Sequence, residues 1–290
     1  MTSTRAKIRV EQLDHVARIT LALPDQLNPL GAGPGSMREE LLDALTEAAA
    51  DDAIGCIVID AEGKAFSAGG DLSTAVANQS VMAAQRFGAQ MVRFGQAMRA
   101  IEKPVLAAVQ GLCIGAAMGL VAQCDLVIAA DDARFGLIEG RIGFPGAAEL
   151  VPVLGPQWAK FLIFSGELID AARAERIGLV LHVEPRTQLR QRVLDLARRI
   201  AALPRETLAL NKASINAVAD AMGAAAGRVA GRAHENLVLS ASPGALAPDG
   251  RRFADVLRDE GIEGMKRARE QQFKGSWLPP LQARMSEGGT

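Results

Sequence analysis

The chain has 290 residues, of which 49% are hydrophobic and 22% charged, a composition typical of a globular protein with a substantial core. Its 32 Lys and Arg residues nearly balance 33 Asp and Glu residues, giving a net charge of −1. This balance argues against nucleic acid or an anionic membrane as the main partner.

The N-terminal segment and the cysteines give no indication of export or membrane insertion. The opening segment MTSTRAKIRVEQ has no apolar run of the signal-peptide kind, and the longest weakly interrupted apolar stretch, Leu112 to Ala122, is too short to span a bilayer. Cys56, Cys113 and Cys124 lie in or beside apolar runs without a metal-ligand spacing, which predicts buried, reduced thiols. We therefore expect a cytoplasmic protein.

The N-terminal part of the chain predicts two paired strands and then a helix. The segments KIRVEQL and VARITLAL alternate apolar and polar residues, with LDH as the turn between them. After a loop rich in Pro and Gly, Ser36 begins the segment SMREELLDALTEAAA. Glu39 follows Ser36 by three residues, which is the spacing of a capping box at the start of a helix.

Three apolar, strand-like runs follow, each leading through a Gly-containing turn towards a possible helix. The three pairs are CIVID with FSAGGDL, KPVLAAV with GLCIGAAMG, and DLVIAAD with ARFGLIEGRIGFPG. Strands that alternate with helices favour an α/β core with right-handed crossovers. The last strand signal is GLVLHVEP.

The remainder of the chain predicts helices. TQLRQRVLDLARRIAAL places its apolar residues on one stripe and ends at Pro204, and further helical segments continue towards the C-terminus. We therefore divide the chain into an α/β core over residues 1–204 and a C-terminal helical region over 205–290. The apolar faces of these helices must cover either the chain's own core or a neighbouring subunit.

Two of the Gly-containing turns invite a functional interpretation, FSAGGDL from Phe66 to Leu72 and GLCIGAAMG from Gly111 to Gly119. Glycine lets the backbone approach a ligand closely, and a turn that opens into a helix leaves N–H groups unpaired at its positive end. If the preceding strands are neighbours, one N–H from each turn can bind the same oxygen, forming an oxyanion hole. From the glycines alone, two ordinary tight turns explain the pattern at least as well.

Several ordered motifs together resemble the crotonase (enoyl-CoA hydratase/isomerase) superfamily. They are LNPL in the early loop, AFSAGGDL, KPVLAAVQG, CDLVIA, FGLIE and the tail EGMKRAREQQFK, and they cover most of the chain. The resemblance implies an α/β fold, a crotonase-like spiral of ββα units with a C-terminal helical region. It also implies an acyl-CoA substrate, no cofactor beyond the coenzyme A of the thioester, and a homotrimer or hexamer.

The resemblance assigns roles to individual positions. The backbone N–H groups of Gly70 and Ala116 would form the oxyanion hole that stabilises the thioester enolate. Phe66 and Ala68 would shape the path of the coenzyme A, and Lys274 in the C-terminal tail would bind it. Core packing remains an alternative for Phe66 and Ala68, and a solvated helix end is an alternative for Lys274.

One departure from the family pattern changes the expected chemistry. Family hydratases hold a water between two glutamates, of which one corresponds to Glu139 and the other falls on Gly119. A glycine carries no acid, and the segment between Leu72 and Ile101 contains no Asp or Glu to replace it. The resemblance therefore puts the two-carboxylate addition of water in doubt.

Glu139 alone can still take a proton from C2 of an enoyl thioester and return it to another carbon. Partial burial would raise the pKa of such a base and suit it to both steps. We therefore predict an enzyme biased towards double-bond isomerisation. A one-glutamate hydratase or lyase and a non-catalytic acyl-CoA-binding protein remain the alternatives.

Overall fold

The computed structural model describes residues 2–71, 81–146 and 148–279 of the chain. These residues form two β-sheets surrounded by helices. The strands are β1 Thr2–Thr4, β2 Ile8–Leu13, β3 Val16–Leu21, β4 Cys56–Ala61, β5 Val105–Val109, β6 Leu112–Ile114, β7 Leu126–Ala130, β8 Arg134–Gly136, β9 Leu168–Asp170 and β10 His182–Glu184.

Helices make up most of the rest of the described chain. They are α1 Met37–Ala50, α2 Val81–Ala100, α3 Ala116–Val121, α4 Val151–Ser165, α5 Ala171–Arg176, α6 Arg186–Ala201, α7 Arg205–Ala219, α8 Ala225–Ala241 and α9 Phe253–Glu270. Two short 3-10 turns, Ile138–Ile142 and Ala148–Leu150, are important for the site described below.

The larger sheet has the strand order β1-β2-β3-β4-β5-β7-β10. Strands β2 and β3 form the predicted antiparallel hairpin, and the sheet is parallel from β3 to β10. All residues of β4 and β5 are buried. Because side chains alternate between faces, Ile57 and Ile59 join the core on the side of α1, whereas Val58 packs with residues of α6. The predicted α/β core is confirmed.

Helix α1 begins where the capping pattern predicted. The Ser36 hydroxyl accepts the N–H of Glu39 at 3.2 Å. The Glu39 carboxylate accepts the N–H of Gly35 instead of that of Ser36, so the second bond of the capping box is displaced by one residue.

A second, three-stranded sheet has the order β6-β8-β9. Its strands have three residues each, whereas the glycine pattern of GLCIGAAMG predicts only a turn that leads into a helix. Strands β6 and β8 run parallel, with Ile114 opposite Gly136. The chain segments that leave these two strands therefore start from the same edge of the sheet.

Helices α8 and α9 of the C-terminal region pack against the α/β part of the chain. Helix α8 packs against α2 and against the 3-10 turn Ala148–Leu150, and α9 contacts the turn Ile138–Ile142. Large apolar side chains on α7 and α8 nevertheless remain exposed, among them Leu210, Val229 and Leu237. Within the described part of the chain, no helix combines the length and apolar character required to cross a membrane.

Candidate active site

The two Gly-containing turns lie side by side, because the first is hydrogen-bonded to the strand that precedes the second. The N–H of Ser67 donates to the carbonyl of Leu112 at 2.9 Å, and the N–H of Ile114 donates to the carbonyl of Ser67 at 3.2 Å. The turn after β4 is thereby aligned with β6.

The closest approach between the turns is at Gly69. A Cβ added to this residue would lie 2.6 Å from the carbonyl oxygen of Ile114 and 3.3 Å from the nitrogen of Ala116, and its φ of +94° also favours glycine. Gly70 follows and is exposed, while Ala116 is half-buried and begins α3. The first N–H groups of a helix have no partner within the helix. The structure thus brings together the turns that carry the two predicted oxyanion donors.

Glu139 lies beside the same turns. It belongs to the 3-10 turn that follows β8, and the N–H of Gly115 donates to the carbonyl of Gly136 at 2.9 Å. A Cβ on Gly115 would overlap Oε1 of Glu139, and the φ of Gly115 is +61°. The carboxylate therefore lies directly against the backbone that leads into Ala116.

The environment of Glu139 favours its neutral form. Its Oε2 is sealed from solvent and has no hydrogen-bond partner among the described residues. Burial raises the pKa of Glu139 from 4.5 to about 7; the negative charge of Glu149 adds to this rise, while Glu139's own backbone N–H and the charge of Arg269 oppose it. Near neutral pH, this carboxylate can both accept and return a proton.

Glu149, which no sequence pattern indicates, lies where the second family carboxylate is missing. Its Oε1 is 2.6 Å from the position that a Cβ of Gly119 would occupy. The signal in the sequence was an acid in a loop rich in Gly and Pro, ten residues after Glu139. The loop shows no periodicity from which the direction of this side chain could be predicted.

The sequence of the chain is similar to those of known enoyl-CoA hydratases. Residues 11–242 match the family model described as enoyl-CoA hydratase/isomerase. The chain belongs to this family. A crotonyl-CoA hydratase of Syntrophomonas wolfei is 34% identical over 72% of this chain and 81% of that protein. A putative enoyl-CoA hydratase of Thermus thermophilus is 33% identical over 71% of this chain and 81% of that protein.

A solved structure supports the same assignment. An enoyl-CoA hydratase/isomerase from Xanthobacter autotrophicus Py2 superposes with a TM-score of 0.86 at 30% identity, over 94% of this chain and 100% of the other. The predicted crotonase-like fold, including its C-terminal helical region, is therefore confirmed.

Within this family fold, the two residues predicted to shape the coenzyme A path have different surroundings. The side chain of Phe66 is fully buried in the core, as its packing alternative requires, and its N–H donates to Gln110 at 2.7 Å. Ala68 is half-buried, and its N–H donates to the carbonyl of Leu27 at 2.8 Å. Phe66 thus anchors the turn, and only Ala68 retains a surface that a ligand can reach.

Lys274 is exposed just beyond the end of α9. The ring of its neighbour Phe273 lies 4.0 Å from the guanidinium carbon of Arg141, measured to the ring centroid. Arg141 belongs to the same 3-10 turn as Glu139. The C-terminal tail of this chain therefore packs beside its own candidate site, and the binding role of Lys274 stays a prediction.

Proposed function

We propose that the protein is an acyl-CoA enzyme that moves a proton at C2 of the acyl group and is biased towards shifting a double bond within an enoyl-CoA. The observation that carries this proposal is the buried, unpartnered Oε2 of Glu139 next to the pair of backbone turns. Membership of the enoyl-CoA hydratase/isomerase family supports the choice of an acyl-CoA thioester.

The two turns supply the electrostatic part of the mechanism. The thioester carbonyl accepts hydrogen bonds from the N–H groups of Gly70 and Ala116, so negative charge that develops on its oxygen is stabilised. This stabilisation makes the proton on C2 more acidic. Fixed backbone donors need little reorganisation as the enolate forms, and no further cofactor enters the reaction.

Glu139 supplies the proton transfer. As a carboxylate it takes the proton from C2, and the electron pair of the C–H bond moves into the enolate held by Gly70 and Ala116. Its pKa of about 7 keeps both protonation states accessible near neutral pH, which a group that accepts and then returns a proton requires. Return of a proton at C4 instead of C2 shifts the double bond from C3–C4 to C2–C3.

Exchange of the C2 protons of a saturated acyl-CoA with solvent deuterium tests the proposal before the natural acyl group is known. We expect exchange by the wild-type protein and a loss of at least about 100-fold in Glu139→Gln. Glu102→Gln, a change at an exposed carboxylate, is the matched control and should exchange like the wild type. Absence of exchange from the wild-type protein would refute the proposed chemistry and favour an acyl-CoA-binding protein.

Hydration is the second candidate function, because the relatives from Syntrophomonas wolfei and Thermus thermophilus carry the name hydratase. Incubation with a 3-enoyl-CoA and, separately, with a 2-enoyl-CoA distinguishes the two. Isomerisation of the 3-enoyl-CoA increases the absorbance of the conjugated thioester. Loss of that absorbance from the 2-enoyl-CoA, with a hydroxyacyl product and no migration of the double bond, would overturn the isomerase bias.

We also propose that the exposed apolar residues of α7 and α8 are covered by further copies of the chain, in a trimer or a dimer of trimers. Leu210 is 72% exposed, and Met222, in the link between the two helices, is 83% exposed. In an isolated chain this apolar surface would be in contact with water, which is unfavourable. Sedimentation equilibrium of the wild type and of Met222→Asp should give a trimer or hexamer and a smaller species, respectively. A monomeric wild type would contradict this part of the proposal.

A further inference from the structure

Helix α3 lacks a side chain at one buried position, and a carboxylate from another element lies against it there. Gly119 is buried within α3. A Cβ at Gly119 would have Oε1 of Glu149 at 2.6 Å, its Cδ at 3.5 Å and its Cγ at 3.8 Å. The end of the Glu149 side chain therefore lies in the space that any larger residue at position 119 would require.

The backbone around Glu149 is fixed on both sides. Leu150 is fully buried in the main core. On the other side, the Ala148 methyl packs against α8 at Gly231, where an added Cβ would come within 2.8 Å of it. The backbone of Ala148 also hydrogen-bonds to the carboxylate of Glu235, which is buried on α8. The two neighbours of Glu149 are thus held by packing and by a hydrogen bond while its side chain lies against α3.

Two positively charged side chains lie near Glu149 but bind other groups. The charge of Glu149 opposes the fall in the pKa of Arg38 that burial causes, and the charge of Arg232 adds to that fall. Arg38 instead donates to the carbonyl of Gly31 at 3.2 Å, and Arg232 pairs with Glu235 at 2.9 Å. Within residues 2–71, 81–146 and 148–279, no hydrogen bond or ion pair engages the Glu149 carboxylate.

The two carboxylates of the site are one helical turn apart along α3. Glu139 lies against Gly115, the residue that caps α3, and Glu149 lies against Gly119. Four helical residues advance by about 6 Å, so the carboxylates are aligned along the axis of α3. Both lie against the helix that begins with the predicted oxyanion donor Ala116.

We propose that Glu149 is a second catalytic acid of this site, supplied by the turn 148–150 in place of the side chain that Gly119 lacks. This inference rests on the proposed function. Glu139 takes the proton from C2 of a 3-enoyl-CoA, and the protonated carboxyl of Glu149 gives a proton to C4. The C2–H and O–H bonds break, a C4–H bond forms, the double bond moves to C2–C3, and solvent later exchanges the proton between the two carboxyl groups.

The fate of the C2 hydrogen distinguishes two acids from one. A single base that carries a proton from C2 to C4 transfers part of the original label between the carbons. Two acids leave the C2 label on Glu139 and introduce a solvent proton at C4. With a 3-enoyl-CoA deuterated at C2, in ordinary water, we therefore expect no deuterium at C4 of the product.

Glu149→Gln provides the decisive variant. We expect its isomerisation rate to fall at least about 100-fold while C2 exchange stays within about threefold of the wild type, because Glu139 and the turns are unchanged. Glu149→Asp should recover part of the isomerisation, and Glu102→Gln should behave like the wild type. Wild-type isomerisation by Glu149→Gln, or transfer of deuterium from C2 to C4, would overturn the inference.

A second readout keeps the test valid if the variant is less stable. The charged groups near Glu139 are Glu149 and Arg269, and Glu149 raises its pKa. An ionised Glu149 opposes the ionisation of Glu139, and a glutamine at position 149 is never charged, so the midpoint of the pH–exchange curve should move to lower pH in Glu149→Gln. An unchanged midpoint would show that Glu149 does not face the reacting groups. Failure of the proposed function has a different signature, since the wild type itself would then show no exchange.

Discussion

The carboxylate of Glu139 occupies the space beside Gly115 that any side chain at that position would need. The pairing of β6 with β8 produces this contact, because Ile114 lies opposite Gly136. Gly115 directly follows Ile114, and Glu139 follows Gly136 by three residues. Gly115, which caps α3, therefore also provides the surface against which the proposed base lies.

Gly115→Ala should consequently disturb both the backbone and the base. The φ of +61° disfavours any side chain, at a cost of about 1–3 kcal/mol, and the new methyl would displace the Glu139 carboxylate. We expect C2 exchange to fall by about 100-fold or more, measured beside the free energy of unfolding. Gly178→Ala, at an exposed glycine with φ of +83° and open space around it, should lose stability but keep its exchange rate. Equal losses of exchange in both variants would show that strain alone matters.

The pH dependence of exchange should follow the ionisation of Glu139. The pKa of Glu139 is about 7, and only its carboxylate form can take a proton. Exchange should therefore rise as the pH increases through about 7 and level off above it. Arg269→Gln removes a charge that lowers the pKa of Glu139, so its midpoint should move to higher pH. Lys266→Gln is the control, and its midpoint should equal that of the wild type. A wild-type midpoint near the ordinary value of 4.5 would contradict the buried position of Glu139.

The same shift should make the stability of the fold depend on pH. The folded-state pKa of Glu139, about 7, exceeds its ordinary value of 4.5, so its contribution to stability is full below 4.5 and is lost as the pH rises towards 7. Glu139→Gln abolishes this titration. Relative to the wild type, we expect the free energy of unfolding of the variant to increase by about 3 kcal/mol between pH 4.5 and 8, since one pKa unit corresponds to about 1.4 kcal/mol. Urea unfolding at both values checks this, and a difference that does not vary with pH would refute it.

The sequence predicted the elements that have a strong local pattern. Alternation predicted β2 and β3, and the spacing of Ser36 and Glu39 predicted the start of α1. It could not predict β6 and β8, since three residues are too few to show a period. Those short strands determine where Glu139 meets Gly115.

The second acid was missed for a related reason. The sequence shows that position 119 has no carboxylate and that the segment between Leu72 and Ile101 contains no acid to replace it. The residue that fills the space, Glu149, comes from a turn 30 positions further along the chain. Its position depends on the packing of Ala148 against Gly231, a contact between remote segments that no local pattern encodes.

Gly119→Ala tests whether the open position on α3 is needed by Glu149. Alanine favours a helix over glycine by about 1 kcal/mol, but its methyl would come within 2.6 Å of Glu149 Oε1. Only the flexible end of the side chain has to move, so we expect little loss of stability, measured by urea unfolding. Isomerisation of a 3-enoyl-CoA should fall about tenfold or more. In a Glu149→Gln background the same substitution should have a much smaller effect, because the group that it displaces has already lost its acid. Independent, multiplying effects of the two substitutions would show that Gly119 and Glu149 do not act together.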